Sequence, residues 1–320
     1  MLSAIRALAA FFALLPLATE AAAQAYPSRP IRVVIGFAPG TATDNLMRPL
    51  AELMSADLKQ PIVIDNKPGA QGAIAADAVA KSPADGYTLL AGSSTTQAAN
   101  PSLFKQLTYD PRTDFAAITR MGAIAQVMVV NNDVPAKTVA EFVAWVKQNK
   151  DRAFYAQGSS GNLIPSAALS ARLNLGMTQV SFRSPPQALV DVIGGRVPMM
   201  FVDMSAGLGQ IKSNAVRAVA VSSKAPSRLL PGVPALADTL PGFELTTWFG
   251  LYAPKGTPAA IVAALNKAAR DGLSKPDFQA KMAETGFELD SSTPEELHAF
   301  TLAEIDKWAA LVKEAKIEAQ

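Results

Sequence analysis

From residue 26 onward, short apolar runs alternate with longer stretches whose apolar residues fall at helical spacing. Residues 31–37, 62–65 and 88–91 are rich in branched aliphatic side chains and bounded by turn residues, which predicts strands with helices between them. The order is βαβ. Ile31, Val33, Val34 and Ile35 form a nearly continuous apolar run rather than an alternation, as expected of a parallel strand buried on both faces. Leu46, Leu50, Leu53 and Leu58 mark one helical face, which Gln60 and Pro61 close. Pro49 lies beyond the first turn of that helix, where a proline costs about 3 kcal/mol, so a kink or a late helix start is predicted.

A second α/β series runs through a strand at 127–130, a helix at 139–148, a strand near Phe154 and Tyr155, and a strand at 216–221. Proline-glycine pairs at Pro231-Gly232 and Pro241-Gly242 precede an apolar strand at 248–253, a natural point for the chain to leave one lobe and return to the other. Three proline-started helices, 258–273, 276–285 and 294–316, should then pack on a sheet already formed. The division read from this pattern is a leader at 1–25, a first lobe at 26–124 that is completed by 248–320, and a second lobe at 125–247.

Charge and composition narrow the chemistry. With Lys and Arg numbering 29 against 27 Asp and Glu, the net charge of +2 leaves no basic surplus for a phosphate backbone, and nucleic acid is not an expected partner. The absence of cysteine removes disulfides, thiol nucleophiles and Cys-based metal sites, and the single His298 excludes any site built on two imidazoles. Arg6, an apolar run over 7–18, and Ala21, Ala23 and Ala25 have the order of a secretory signal. That run is shorter than the roughly 20 residues needed to span a membrane, and without cysteine an N-terminal lipid anchor is impossible. The expectation is a periplasmic, monomeric protein that does not itself span the membrane.

Three glycine- and hydroxyl-rich loops follow strands and precede helices. The first runs from Gly36 and Phe37 through Gly40, Thr41, Ala42 and Thr43 to Asp44; free amides at a helix start attract an anion, and Thr41 with Asp44 also fits a capping box. The second carries Gly158, Ser159, Ser160, Gly161 and Asn162, the same device in the other lobe. Gly40 and Gly161 read as positions where backbone comes close to a ligand. The third holds Ser93, Ser94, Thr95 and Thr96 at a strand end, where open α/β sheets place ligand contacts. None of the three contains Lys or Arg, so an anion there would rest on neutral donors. Asp203 and Arg183 are isolated charges that suit either ligand recognition or a surface ion pair, and Phe37, Phe182 and Trp248 suit either pocket walls or core. No nucleophile elbow, nucleotide loop or metal-binding pattern occurs, so neither a cofactor nor a metal is assigned.

Six ordered segments give the chain a wider likeness: Tyr-Pro-Ser-Arg-Pro-Ile-Arg-Val-Val at 26–34, Phe-Ala-Pro-Gly-Thr-Ala-Thr-Asp at 37–44, Asn-Lys-Pro-Gly-Ala-Gln-Gly at 66–72, Ala-Asp-Gly-Tyr-Thr-Leu-Leu at 84–90, Asn-Pro-Ser-Leu-Phe at 100–104, and Trp-Phe-Gly-Leu-Tyr-Ala-Pro-Lys-Gly-Thr-Pro at 248–258. With these it resembles the substrate-binding proteins of tripartite tricarboxylate transporters, the Bug family, over nearly all of 26–317. The resemblance implies an α/β, type II-like periplasmic binding protein of two lobes, each a mixed sheet flanked by helices, with the ligand cleft between them. It implies capture of a small carboxylate, partly through water, by the loops at Gly40 to Asp44 and Ser159 to Asn162, with Ala70 and the loop at Ser93 to Thr96 as further contacts. It implies delivery to a membrane permease of a large and a small subunit, and no catalysis. A secreted enzyme, or a receptor that presents its ligand to a sensor kinase, are the alternatives. Departures from family wording, such as Thr41 where a second glycine is common and Pro165 where a histidine is often found, leave the ligand open. An amino acid would use Asp203 against its ammonium, and an aromatic diacid would use Phe37, Phe182 and Trp248 as walls.

Overall fold

Apolar continuity at the first strand has the structural counterpart that the sequence predicts. In the computed structural model, which describes residues 26–320, Ile31–Ile35 forms β1, and it lies between two parallel neighbours, Ile62–Asn66 (β2) and Thr88–Ser93 (β3). Val33 sits opposite Ile64 on one side and Leu89 on the other. The predicted leader at 1–25 lies outside the described residues. Ala42–Leu58 (α1) and Ala73–Ala80 (α2) make the crossovers, and parallel strands need such connections. Contrary to the expected late start, α1 begins at Ala42 and runs on through Pro49. Leu46 and Leu50 are fully buried, and Gly272 lies against Leu50 and Leu53. That close packing of the apolar face holds a helix its own proline disfavours.

After the short helix Asn100–Leu103 (α3), the chain enters Phe115–Val130 (β4), 16 residues long. Up to Ala125 it pairs antiparallel with Thr246–Pro254 (β9), which in turn pairs with β3. From Gln126 onward the same strand pairs with Met199–Asp203 (β7) and, from Val127, with Arg217–Val221 (β8). One strand therefore serves both lobes. Only its end, 127–130, is apolar enough to read as a strand; the earlier part is rich in alanine, carries two register shifts, and has Gly122 at φ +124 where the backbone at Glu288 crosses it.

The second lobe adds Val139–Gln148 (α4), Phe154–Gln157 (β5), Ser160–Arg172 (α5), Thr178–Ser181 (β6), Pro185–Ile193 (α6) and Met204–Lys212 (α7), with β5 and β6 forming a separate parallel pair. The chain then returns through β9 to Ala259–Leu273 (α8), Pro276–Ala283 (α9), the edge strand Phe287–Glu288 (β10) and Pro294–Glu314 (α10). A complete capping box between Thr293 and Glu296 starts α10. Among the described residues no helix is long and apolar enough to cross a membrane.

Candidate functional site

Where β1 ends, the chain turns through Gly40 at φ +83 and starts α1. The first amides of a helix have no acceptor inside it. Thr41 occupies the capping position, but its hydroxyl donates to the Ala38 carbonyl at 3.0 Å instead of accepting from the helix. Asp44 does not complete the expected capping box either: its carboxylate accepts from the Gly40 amide (3.1 Å), from Arg48 (2.8 and 3.0 Å) and from Asn66 (3.0 Å). Burial works against ionisation, but those hydrogen bonds and the guanidinium hold the Asp44 carboxyl below its ordinary value. The amides of Ala42 and Thr43 are consequently left for an outside acceptor.

In the second lobe, α5 starts in the same manner. Ser159 takes the capping position, yet its hydroxyl donates to Asn162 Oδ1 at 3.0 Å, while Asn162 Nδ2 donates to the Phe201 carbonyl at 2.9 Å. The asparagine thus ties the loop to β7, and the amides of Ser160 and Gly161 have no acceptor within the helix. The Ser160 hydroxyl donates to Thr95 Oγ1 at 2.7 Å, which joins the second lobe to the end of β3. A weaker bond from Gln71 Nε2 to Gln157 Oε1, at 3.4 Å, spans the same gap.

Between these loops lies a narrow, nearly closed pocket of about 20 Å³. Phe37, Thr41, Ala42, Thr43, Ser93 and Thr95 line it from one side, and Ser159, Pro185 and Asp203 from the other, with Thr247 and Phe249 of β9 between. Ser93 Oγ is buried and has no partner in the protein. No lysine, arginine or histidine lines this pocket. Asp203 is 7% exposed, and Gln126 Nε2 donates both to Asp203 Oδ1 and, at 2.9 Å, to Thr247 Oγ1. Burial pushes the Asp203 carboxyl up to about 6, partly offset by Gln126 and Thr247.

Two helix starts and a hydroxyl-rich lining without a cation, facing each other across one cleft, suit an anion held by neutral donors. Residues 46–317 match the tripartite tricarboxylate transporter family receptors. The chain belongs to that family. Among solved structures, the periplasmic binding protein BugD is 33% identical with a TM-score of 0.88, over 92% of this chain and all of that one. A protein from R. palustris with adipate is 30% identical with a TM-score of 0.89, again over 92% and 100% of the two chains. MatC from Rhodopseudomonas palustris, with bound malate, is 30% identical with a TM-score of 0.85, over 90% of this chain and all of the other. This tripartite transporter receptor therefore has the two-lobed α/β fold of periplasmic binding proteins.

Not every residue anticipated for the site reaches the pocket of this receptor. Phe37, Thr41, Ala42, Thr43, Ser93, Thr95, Ser159 and Asp203 line it, and Ser160, Gly161 and Asn162 shape it from behind. Gly40 and Ala70 are exposed, with Ala70 at φ 46 on a short turn. Nothing comes within 4 Å of a Cβ placed on Gly40, so its glycine is required by the positive φ rather than by close approach. Trp248 is corrected to core: it is 2% exposed, its Nε1 donates to Glu304 at 2.7 Å, and its ring meets Phe300 edge-on. Side chains alternate along a strand, so the flanking Thr247 and Phe249 take the pocket face instead. Arg183 is exposed and outside the lining. Gln126, Thr247, Phe249 and Pro185 were not anticipated; alternation about Trp248 signals two of them.

Proposed function

We propose that this receptor captures one small organic acid between its lobes in the periplasm and delivers it to a membrane permease of a large and a small subunit, without changing it chemically. The observation that carries the reading is the convergence of the α1 and α5 starts on one hydroxyl-lined pocket that contains no cationic side chain. Helix amides and hydroxyls hold a carboxylate through many neutral donors, which suits capture followed by release. The adipate and malate bound by two relatives are acids of this kind. In this reading residues 1–25 direct export, residues 26–124 and 248–320 make the first lobe, residues 125–247 make the second, and the protein acts as a monomer.

A thermal-shift panel of mono-, di- and tricarboxylates, amino acids and aromatic acids tests it. An acid at about 100 times its Kd should stabilise the fold by about 2.7 kcal/mol. Recovery of the acid unaltered after incubation is the second expectation. A chemical product, or the absence of any shift from protein freed of co-purified small molecules, would contradict the proposal.

A further inference from the structure

We propose that the ligand is an α-amino acid, with its carboxylate on the helix starts and its ammonium on the buried carboxylate of Asp203. The inference rests on the carboxylate reading above and adds the class of acid. Asp203 stands at the capping position of α7, where an aspartate ordinarily accepts from helix amides, yet it makes no such bond. Its side chain turns instead to Gln126 and to the pocket. Burial without a cation is costly for a carboxylate, and the protein supplies Asp203 only the amide of Gln126 and the hydroxyl of Thr247.

Gln126 deepens the deficit. With its Nε2 committed to Asp203 and Thr247, its Oε1 is buried and has no partner. Asp203 lines the pocket and the unpartnered Gln126 Oε1 belongs to the residue bonded to it, and what this group of acceptors lacks is a donor. A plain carboxylate offers none, a hydroxyl offers one, and an ammonium offers three together with a positive charge. With its carboxyl at about 6, Asp203 is about ten to one ionised at neutral pH, so a second ligand carboxylate placed there would be repelled. The anion site and the acid are also neighbours: a Cβ on Gly161, at the start of α5, would lie 2.8 Å from Thr247 Oγ1 and 3.3 Å from Gln126 Nε2, the two groups that bond to Asp203. Donor amides beside an unpaired acid match a carboxylate and an ammonium carried on one carbon.

Calorimetric titration with matched sets tests this: the twenty common amino acids, and for each the acids with hydroxyl or hydrogen in place of the amine, such as aspartate, malate and succinate. An amino acid should bind at least about tenfold more tightly than either analogue, a difference of about 1.4 kcal/mol. Asp203→Asn should reduce the preference for the amino acid over its amine-free analogue by about tenfold or more. Tighter binding of the hydroxy or unsubstituted acid, or a preference for the amine that survives Asp203→Asn, would overturn the inference and leave the carboxylate reading standing. If neither amino acids nor amine-free acids bind, the carboxylate reading fails, and this inference with it.

Discussion

Asp203 has no charged neighbour to set against its burial, and only the hydrogen bonds from Gln126 and Thr247 lower a carboxyl that burial has pushed up to about 6 from an ordinary 3.8. Because the folded value lies above the unfolded one, its contribution to stability is complete below about pH 3.8 and is lost as the pH rises through about 6. The ionised group then costs about 3 kcal/mol. Asp203→Asn keeps an acceptor for Gln126 but cannot ionise. Its stability relative to the parent should thus improve by about 2–3 kcal/mol between about pH 4 and pH 7.5 in urea unfolding, and a difference that does not change with pH would refute the assignment. Asp44, held below its ordinary value, is common to both proteins and cancels in that difference. Gly40 makes a second residue-level prediction: alanine there meets open space but must adopt φ +83, so Gly40→Ala should lose about 1–2 kcal/mol of stability while ligand affinity is kept. Most pocket residues on the glycine loops were legible, because strand, glycine and helix start occur in that order. The state of Asp203 was not, since its partner Gln126 lies 77 positions away.

At the scale of elements, β9 shows how one residue of parity decides a role. Trp248 and Trp308 both donate to Glu304 Oε2, at 2.7 and 2.8 Å, and Lys307 reaches Oε1 at 3.0 Å, so this strand face is fastened to α10. Trp248→Phe should cost about 1–3 kcal/mol by leaving a buried acceptor short of a donor, with no change in ligand binding. Phe249→Ala, on the opposite face, should weaken binding and also cost about 3–5 kcal/mol, because Phe249 packs on Phe287 as well as lining the pocket, and weakened affinity in Trp248→Phe with unchanged affinity in Phe249→Ala would restore Trp248 to the site. The helices α4, α8, α9 and α10 and the strands β1, β2, β3 and β8 follow from local periodicity to within a few residues. The first part of β4 does not, because its shifts in register and its glycine destroy alternation, and its strand character comes from β9 beside it.

Taken whole, the molecule joins two lobes through the length of β4 and brings them together again around the pocket, where Ser160 bonds to Thr95 and Gln71 to Gln157. The lobes also meet where α5 packs on α10 and Arg172 pairs with Glu314 at 2.7 Å, and a ligand that adds bonds to both lobes favours their closed arrangement. Gly161→Val would force a side chain against Thr247 and Gln126 at the start of α5, beside the pocket. Calorimetric titration of the parent and of Gly161→Val with the acid that gives the largest thermal shift is the most direct test that one carboxylate is held between the lobes. The account predicts one site per chain in the parent and at least about a hundredfold weaker binding in the variant, with its far-ultraviolet spectrum unchanged. Equal affinity in the two proteins would contradict it.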